Sequence, residues 1–311
     1  MKVFMTGATG AIGPATIRAL RAAGHEVRAV ARGPEKAELV RELGAEPVAV
    51  DLFDPASVKA AVAGTEAVLH LATNVPPVSR AARKSAWDTH NALRTTATEH
   101  LVEAALDAGA RTLVKESITF VYPDRGDEWI DEDVPADESI GMLAPTLEGE
   151  RLVLRFAGDG RAAVVLRFGL FYGPDTRHTD EALRMARRRL STVAGKKGAY
   201  MTSVHTDDVA TAVAAALDAP TGIYNVGDDE PLTRRDYLDA FRKALGLGWL
   251  FSAPSWLMRV IGGKASRVLT ASQRCSNRRF RDATGWAPAY QSAREGWAAA
   301  AAARSKEKAD A

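Results

Sequence analysis

Met1-Lys2-Val3-Phe4-Met5-Thr6-Gly7-Ala8-Thr9-Gly10-Ala11-Ile12-Gly13 is the stretch that decides how this chain folds. An apolar run of strand length ends in three glycines spaced three apart, and an Ala/Leu-rich helical pattern begins directly behind them. Glycines at this spacing let a strand turn tightly into a helix, bring backbone N–H groups close to a pyrophosphate and aim the helix N-terminus at its charge. Pro14 suits a first helical turn, where a missing N–H loses no partner, and Gly24 follows the last apolar turn as a stop. A glycine-spaced loop lying directly between a strand and a helix is what separates a nucleotide loop from an ordinary turn.

The pattern continues outward from this loop. From residue 2 to about 167, short β-prone runs at 26–31, 47–50, 67–71, 112–116 and 163–167 alternate with amphipathic helical stretches. Asp54-Pro55 reads as an N-cap and first-turn pair, Gly64 as a stop, and Gly109 as the close of one long helix from about Trp87. Strands alternating with helices imply an α/β fold, a Rossmann-type doubly wound parallel sheet with its ligand at the carboxyl ends of the strands. The rhythm changes after residue 171. Residues 171–200 are irregular and basic, 205–218 read as a helix capped by Thr206, 222–226 as a strand, and the chain beyond the cap Thr233 is mostly helical to Trp297. The expected organisation is a dinucleotide-binding domain from 1–170 and 203–227, and a smaller, mostly helical C-terminal substrate lobe from 171–202 and 228–300 that covers the strand ends. Residues 301–311 are expected to be a disordered tail.

Composition removes several classes of function. A chain of 311 residues can bury a large core, and 46% hydrophobic with 26% charged residues is the profile of a soluble globular protein. Lys and Arg number 41 against 39 Asp and Glu, so no global field points to nucleic acid or an acidic membrane surface. The basic run at 184–189 reads as a solvated helix face, with phosphate binding as its alternative. Cys275 is the only cysteine, which excludes an intramolecular disulfide and a Cys-based zinc site. The six histidines are scattered and no HExxH occurs, so no metal site is expected. With a strand starting at residue 2 and no apolar run of bilayer length, the expected location is cytoplasmic.

The end of the second strand selects the dinucleotide, because an acid there would hydrogen-bond the ribose 2′-OH of NAD. Ala31-Arg32-Gly33 stands there instead, and Arg32 can pair with a 2′-phosphate, so NADP is expected over NAD. Lys36, one turn on, is a second candidate for the same phosphate.

With these pieces in place the sequence resembles the short-chain dehydrogenase/reductase superfamily, in its extended branch of NAD(P)-dependent nucleotide-sugar epimerases, dehydratases and related reductases. The resemblance covers roughly residues 1–300. It rests on the Thr6 to Gly13 loop, Val50-Asp51-Leu52, Val68-Leu69-His70-Leu71-Ala72, Asn91, Val121-Tyr122, Leu166-Arg167-Phe168 with Tyr172-Gly173-Pro174, and Val204-His205-Thr206-Asp207-Asp208-Val209-Ala210. It implies that Gly7, Thr9, Gly10, Ala11, Ile12 and Gly13 hold the pyrophosphate and that Asp51 and Leu52 contact the adenine. It further implies that Leu71, Ala72 and Thr73 line the cofactor and that Asn91 supports the active site. For Asp51 the residues alone leave an alternative, closure of its own turn. A homodimer through helices near 87–108 and 146–159 is also implied, as is a small-molecule substrate.

The resemblance breaks at the catalytic residues. Redox members carry a Ser or Thr, a Tyr that passes a proton to or from the substrate oxygen, and a Lys four residues later on the same helix face that lowers the pKa of that Tyr. Aligned on Glu150 and on Val121-Tyr122, this chain has Ile118, Met142 and Thr146 at the three positions, and none of its six tyrosines has a Lys four residues on. Replacement proton donors are sought among Glu116, Ser117, Thr119, Tyr122 and His205. Three of them have a structural alternative: a salt-bridged carboxylate next to Lys115 for Glu116, ring packing for Tyr122, and a helix cap for His205. Residues 124–138 read as an acidic loop over the cleft with solvated charges and Trp129 as its anchor. Met142, Phe171 and Trp256 either make the pocket apolar or pack the core. The leading expectation is an atypical oxidoreductase or epimerase using NADP. A lyase, isomerase or cyclase with an unused cofactor, and an NADP-sensing regulator similar to the NmrA-like group, stand beside it.

Overall fold

Seven apolar runs assemble into one sheet: β1 (Lys2–Thr6), β2 (Glu26–Val30), β3 (Glu46–Val48), β4 (Ala67–His70), β5 (Thr112–Ile118), β6 (Ala162–Phe168) and β7 (Gly222–Val226). The computed structural model describes residues 1–76, 83–174, 176–254 and 266–310, and Trp256 lies outside them. The sheet order is β7-β6-β5-β4-β1-β2-β3, and the pairings of β1 with β2 and β4, of β2 with β3 and of β4 with β5 are parallel. The strand order reverses between β1 and β4, and in such sheets the crevice at that switch point takes the ligand.

The helices that follow these strands are α1 (Gly13–Ala22), α2 (Pro34–Glu42), α3 (Pro55–Val62), α4 (Asp88–Arg94), α5 (Thr96–Asp107) and α6 (Ala144–Leu154). Phe4, Val68, Leu113 and Val165 of the sheet pack in one cluster with Val58, Val62, Leu101, Val153 and Phe156. Each such side chain contributes about 1.5–3 kcal/mol by leaving water. Asp54 caps α3 as its sequence predicts, accepting the Ala56 N–H at 3.0 Å.

The chain divides into two units. Met1–Ser117, Gly141–Arg167 and Val209–Tyr224 form the first, which carries most of the sheet; Ile118–Ile140, Phe168–Asp208 and Asn225–Ala311 form the second. The core of the second unit is Tyr172, Tyr237, Phe241, Leu250 and Trp297. Its helices include α7 (Arg177–Arg187), α9 (Arg234–Ala244) and α10 (Ala293–Asp310), and α8 (Thr206–Ala215) begins within it. Thr233 caps α9 as expected, accepting the Asp236 N–H at 3.2 Å.

Several local readings are corrected. The long helix expected from Trp87 is broken at Thr95 into α4 and α5. Thr95 there sends both its N–H and its hydroxyl to the Asn91 carbonyl, and two adjacent β-branched threonines resist continuation. Thr206 does not cap α8 but is its first residue, and the Nδ1 of His205 accepts the Asp207 N–H at 3.2 Å in the capping role. The tail expected to be disordered over 301–311 is helical through Asp310. Its alanine run is the best helix former available, and Arg304 ties it to the Pro174 carbonyl at 2.5 Å and to Asp180 at 3.1 Å. Among the described residues no helix is long and apolar enough to cross a membrane.

Candidate active site

The glycine loop leaves β1 at the switch point and is closed by its own backbone, Gly10 N–H to the Gly7 carbonyl and Gly13 N–H to the Gly10 carbonyl. Gly7 takes a φ of +76°, and a Cβ there would overlap the Leu71 carbonyl; one on Gly13 would overlap the Ala8 carbonyl. A cradle this close allows nothing larger than glycine. The N-cap of α1, Ile12, supplies no side-chain cap and no acid occupies the first turn, so the positive end of the helix is left for an anion. A pyrophosphate fits that helix end in hydrogen bonding and charge.

Thr6, at the end of β1, ties this loop to the next strand. Its hydroxyl lies 2.9 Å from His70 Nδ1 and accepts the N–H groups of Leu71 and Ala72, both at 3.2 Å. Because His70 Nε2 faces the Leu93 carbonyl at 3.0 Å, the ring proton belongs on Nε2, and burial holds this histidine well below its ordinary range as a neutral ring. Leu71 is buried, Ala72 half-buried and Thr73 exposed as they leave the sheet. Arg32 and Lys36 are exposed after β2. The Asp51 carboxylate accepts the Phe53 N–H at 2.9 Å, the turn closure that the residues alone allow. Asn91 is half-buried on α4.

Glu116 and Ser117 of the candidate donors belong to the first unit, and both are engaged. Glu116 takes its structural alternative, a salt-bridged carboxylate next to Lys115. Its carboxylate meets Arg94 of α4 at 3.0 Å with both side chains buried. Ser117 donates to Glu150 of α6 at 2.5 Å, and Arg167 of β6 grips the same carboxylate at 2.9 and 2.6 Å. Burial and the neighbouring Arg94 guanidinium push Lys115 down to about 7. Met142 is 39% exposed in a 3-10 turn before α6, and Thr146 is buried within α6.

Thr119, Tyr122 and His205 belong to the second unit. Tyr122 is buried and its hydroxyl donates to Asn225 Oδ1 at 2.8 Å, so the phenol is occupied. The Thr119 hydroxyl is buried without a partner among the described residues. His205 is buried against Tyr172 and Tyr290, with ring centroids at 5.4 and 4.4 Å, and burial pulls its pKa down. Phe171 is half-buried against Phe168. The expectation of solvated charges over 124–138 fails at Glu132, whose side chain is 1% exposed, accepts the Asn225 N–H at 2.6 Å and lies 3.4 Å from Arg279. Trp129 is 47% exposed, with the Arg274 guanidinium 4.1 Å above its ring. Of the basic run at 184–189, Arg184, Arg187, Arg188 and Arg189 are exposed. Among the described residues no group of His, Cys, Asp and Glu could hold a metal ion.

Sequence reasoning missed Thr6, Arg94, Lys115, Glu150 and Arg167 as a polar layer. One signal was present: Lys115-Glu116 interrupts a strand that is otherwise apolar, and adjacent charges in such a place must be paired.

The fold, the glycine cradle and the buried layer together define a dinucleotide-binding α/β protein of the extended short-chain dehydrogenase/reductase kind. The chain belongs to the NAD dependent epimerase/dehydratase family, which matches residues 3–227. It is 37% identical over 310 residues to the 3-diazoavenalumate denitrifying reductase of a Streptomyces species, covering 95% of this chain and 99% of that one. It is 30% identical over 255 residues to 4-hydroxy-2-methyl-3-oxo-4-farnesyl-3,4-dihydroquinoline-1-oxide ketoreductase of Stigmatella aurantiaca, covering 79% and 74%. Among solved structures, the human epimerase family protein SDR39U1 with NADPH superposes with a TM-score of 0.81 at 23% identity, covering 97% of this chain and 99% of that one. MoeE5 in complex with UDP-glucuronic acid and NAD gives 0.80 at 23% identity, covering 99% and 100%. These two likenesses show the fold.

Proposed function

We propose that this protein is an NADP(H)-dependent reductase of a small organic molecule, and that its substrate accepts a hydride at carbon with no acid from a tyrosine. The observation that carries the reading is an intact dinucleotide cradle in a chain that has Met142 just before α6 and Thr146 within it at the positions of the tyrosine and the lysine. Ser117 donates to Glu150 and Tyr122 to Asn225, so these two hydroxyls are already committed as donors. Arg32 supports NADP, because a guanidinium following β2 could pair with a 2′-phosphate.

When bound, NADPH supplies a hydride. A carbonyl that takes it becomes an alkoxide and needs a proton, and losing a positioned acid costs 10²–10⁴ in rate. A carbon that expels nitrogen does not. For an arenediazonium ion, Ar–N₂⁺ + NADPH → Ar–H + N₂ + NADP⁺ balances without a proton. The 37% identical relative is by name a reductase that removes nitrogen from a diazo compound, and this supports the same substrate class here. The glycine loop and Arg32 would hold the cofactor.

NADPH deuterated at C4, incubated with an arenediazonium carboxylate and the protein, tests this. The expected result is one ring deuterium and one equivalent of N₂ per NADP⁺ formed. Oxidation of NADPH by ketones alone, with none by the diazonium ion, would overturn it.

A further inference from the structure

The buried polar layer at the carboxyl end of β5 is electrically unequal. Arg94 pairs with Glu116 at 3.0 Å and Arg167 with Glu150 at 2.6 Å, all four side chains buried. Lys115, 1% exposed, is the cation left over. The titratable and charged groups that bear on it are His70 opposite it in register on β4, His90 and Arg94 from α4, Glu116 on its own strand and Glu150 from α6, while β6, the other neighbour of β5 in the sheet, carries the buried Arg167. Both histidines are held neutral, His90 pulled down to about 4 by burial and Arg94. Gly149 makes the room, since a Cβ there would lie 2.8 Å from Lys115 Cε. A buried ammonium without a counter-ion of its own is costly, so a further charge nearby decides whether it keeps its proton.

The fold indicates where a further charge arrives. β5 lies next to β4 at the switch point, and the ligand of such a sheet binds outside the carboxyl ends of these strands. The nicotinamide ring is a cation in NADP⁺ and neutral in NADPH. Resting on the NADP(H) reading above, we propose that Lys115 senses the redox state of the cofactor: protonated, it favours NADPH over NADP⁺, and NADP⁺ binding expels its proton. Lys115 is a positioning residue in this role, acting through charge and touching no reacting atom. Its pKa of about 7 puts the exchange near neutrality. Acidification would then loosen the oxidised product and retain the reduced reactant.

The test is the ratio of the NADP⁺ and NADPH dissociation constants from pH 6 to pH 8.5, in the wild type and in Lys115→Met. Titration of the 2′-phosphate acts on both dinucleotides and cancels in the ratio. A drop of about one unit in the pKa of Lys115 on binding NADP⁺ lowers the wild-type ratio about fivefold between pH 6 and pH 8.5. The ratio in Lys115→Met should stay flat. A second readout needs no variant: calorimetry in buffers of different ionisation enthalpy should show more proton release near pH 7 on binding NADP⁺ than on binding NADPH, the difference being the proton of Lys115. If neither dinucleotide binds, the cofactor reading falls. If both bind with a flat wild-type ratio, or Lys115→Met keeps the slope, the assignment of Lys115 falls alone.

Discussion

Replacing Lys115 by Met should make the protein more stable, and the gain should fade as pH rises. The unfolded lysine titrates near 10.5 and the folded one at about 7. A shift of that size amounts to about 4 kcal/mol at pH 7, at 1.36 kcal/mol per unit. The sign follows from proton counting. Between pH 7 and 10.5 the unfolded chain binds the proton and the folded chain does not, so wild-type stability rises with pH by up to about 1.4 kcal/mol per unit. The penalty is full below pH 7 and gone above 10.5. Met fills much of the same volume, and Arg94–Glu116 and Glu150–Arg167 stay paired without Lys115, so no orphan charge offsets the gain. Urea unfolding of both proteins at pH 7, 8 and 9 is the assay, with the difference in midpoint free energy at each pH as the readout. Parallel pH dependences would refute the argument, because they would mean that Lys115 is charged in the fold at every pH.

Three further outcomes are expected. Arg32→Ala should weaken NADPH at least tenfold, as loss of a charge-assisted hydrogen bond does, and leave NADH within about twofold, read from fluorescence titrations with both dinucleotides. Glu150→Gln removes the carboxylate charge that Arg167 grips in the interior and should destabilise by about 3–5 kcal/mol, seen as a lower melting temperature that Glu150→Asp partly restores. Gly7→Ala puts a Cβ on the Leu71 carbonyl at a positive φ, and should abolish dinucleotide binding while the circular dichroism of the sheet is kept.

The glycine loop and the caps Asp54 and Thr233 were legible in the sequence because each is enforced within a few residues: a turn, an N–H, a hydroxyl in reach. The alternation of strands and helices was legible for the same reason. The break at Thr95 was not, since the helical period runs on through it and only the hydroxyl chemistry of Thr95-Thr96 interrupts. The candidate site was half legible. Alignment and spacing showed that the Tyr-Lys pair was gone, but not that Ser117 and Glu116 were already engaged, because their partners Glu150 and Arg94 come from other elements far along the chain. Glu132 misled for the converse reason: an acidic stretch reads as solvated until a strand from elsewhere offers a buried N–H.

The single hydroxyl of Thr6 joins two stretches that lie more than sixty residues apart, the loop after β1 and the turn after β4. An incoming dinucleotide therefore meets walls already assembled, and little chain entropy is lost in arranging them. Association should then run at a rate set by encounter and orientation. Differences in affinity among related dinucleotides would show almost wholly in how long each one stays.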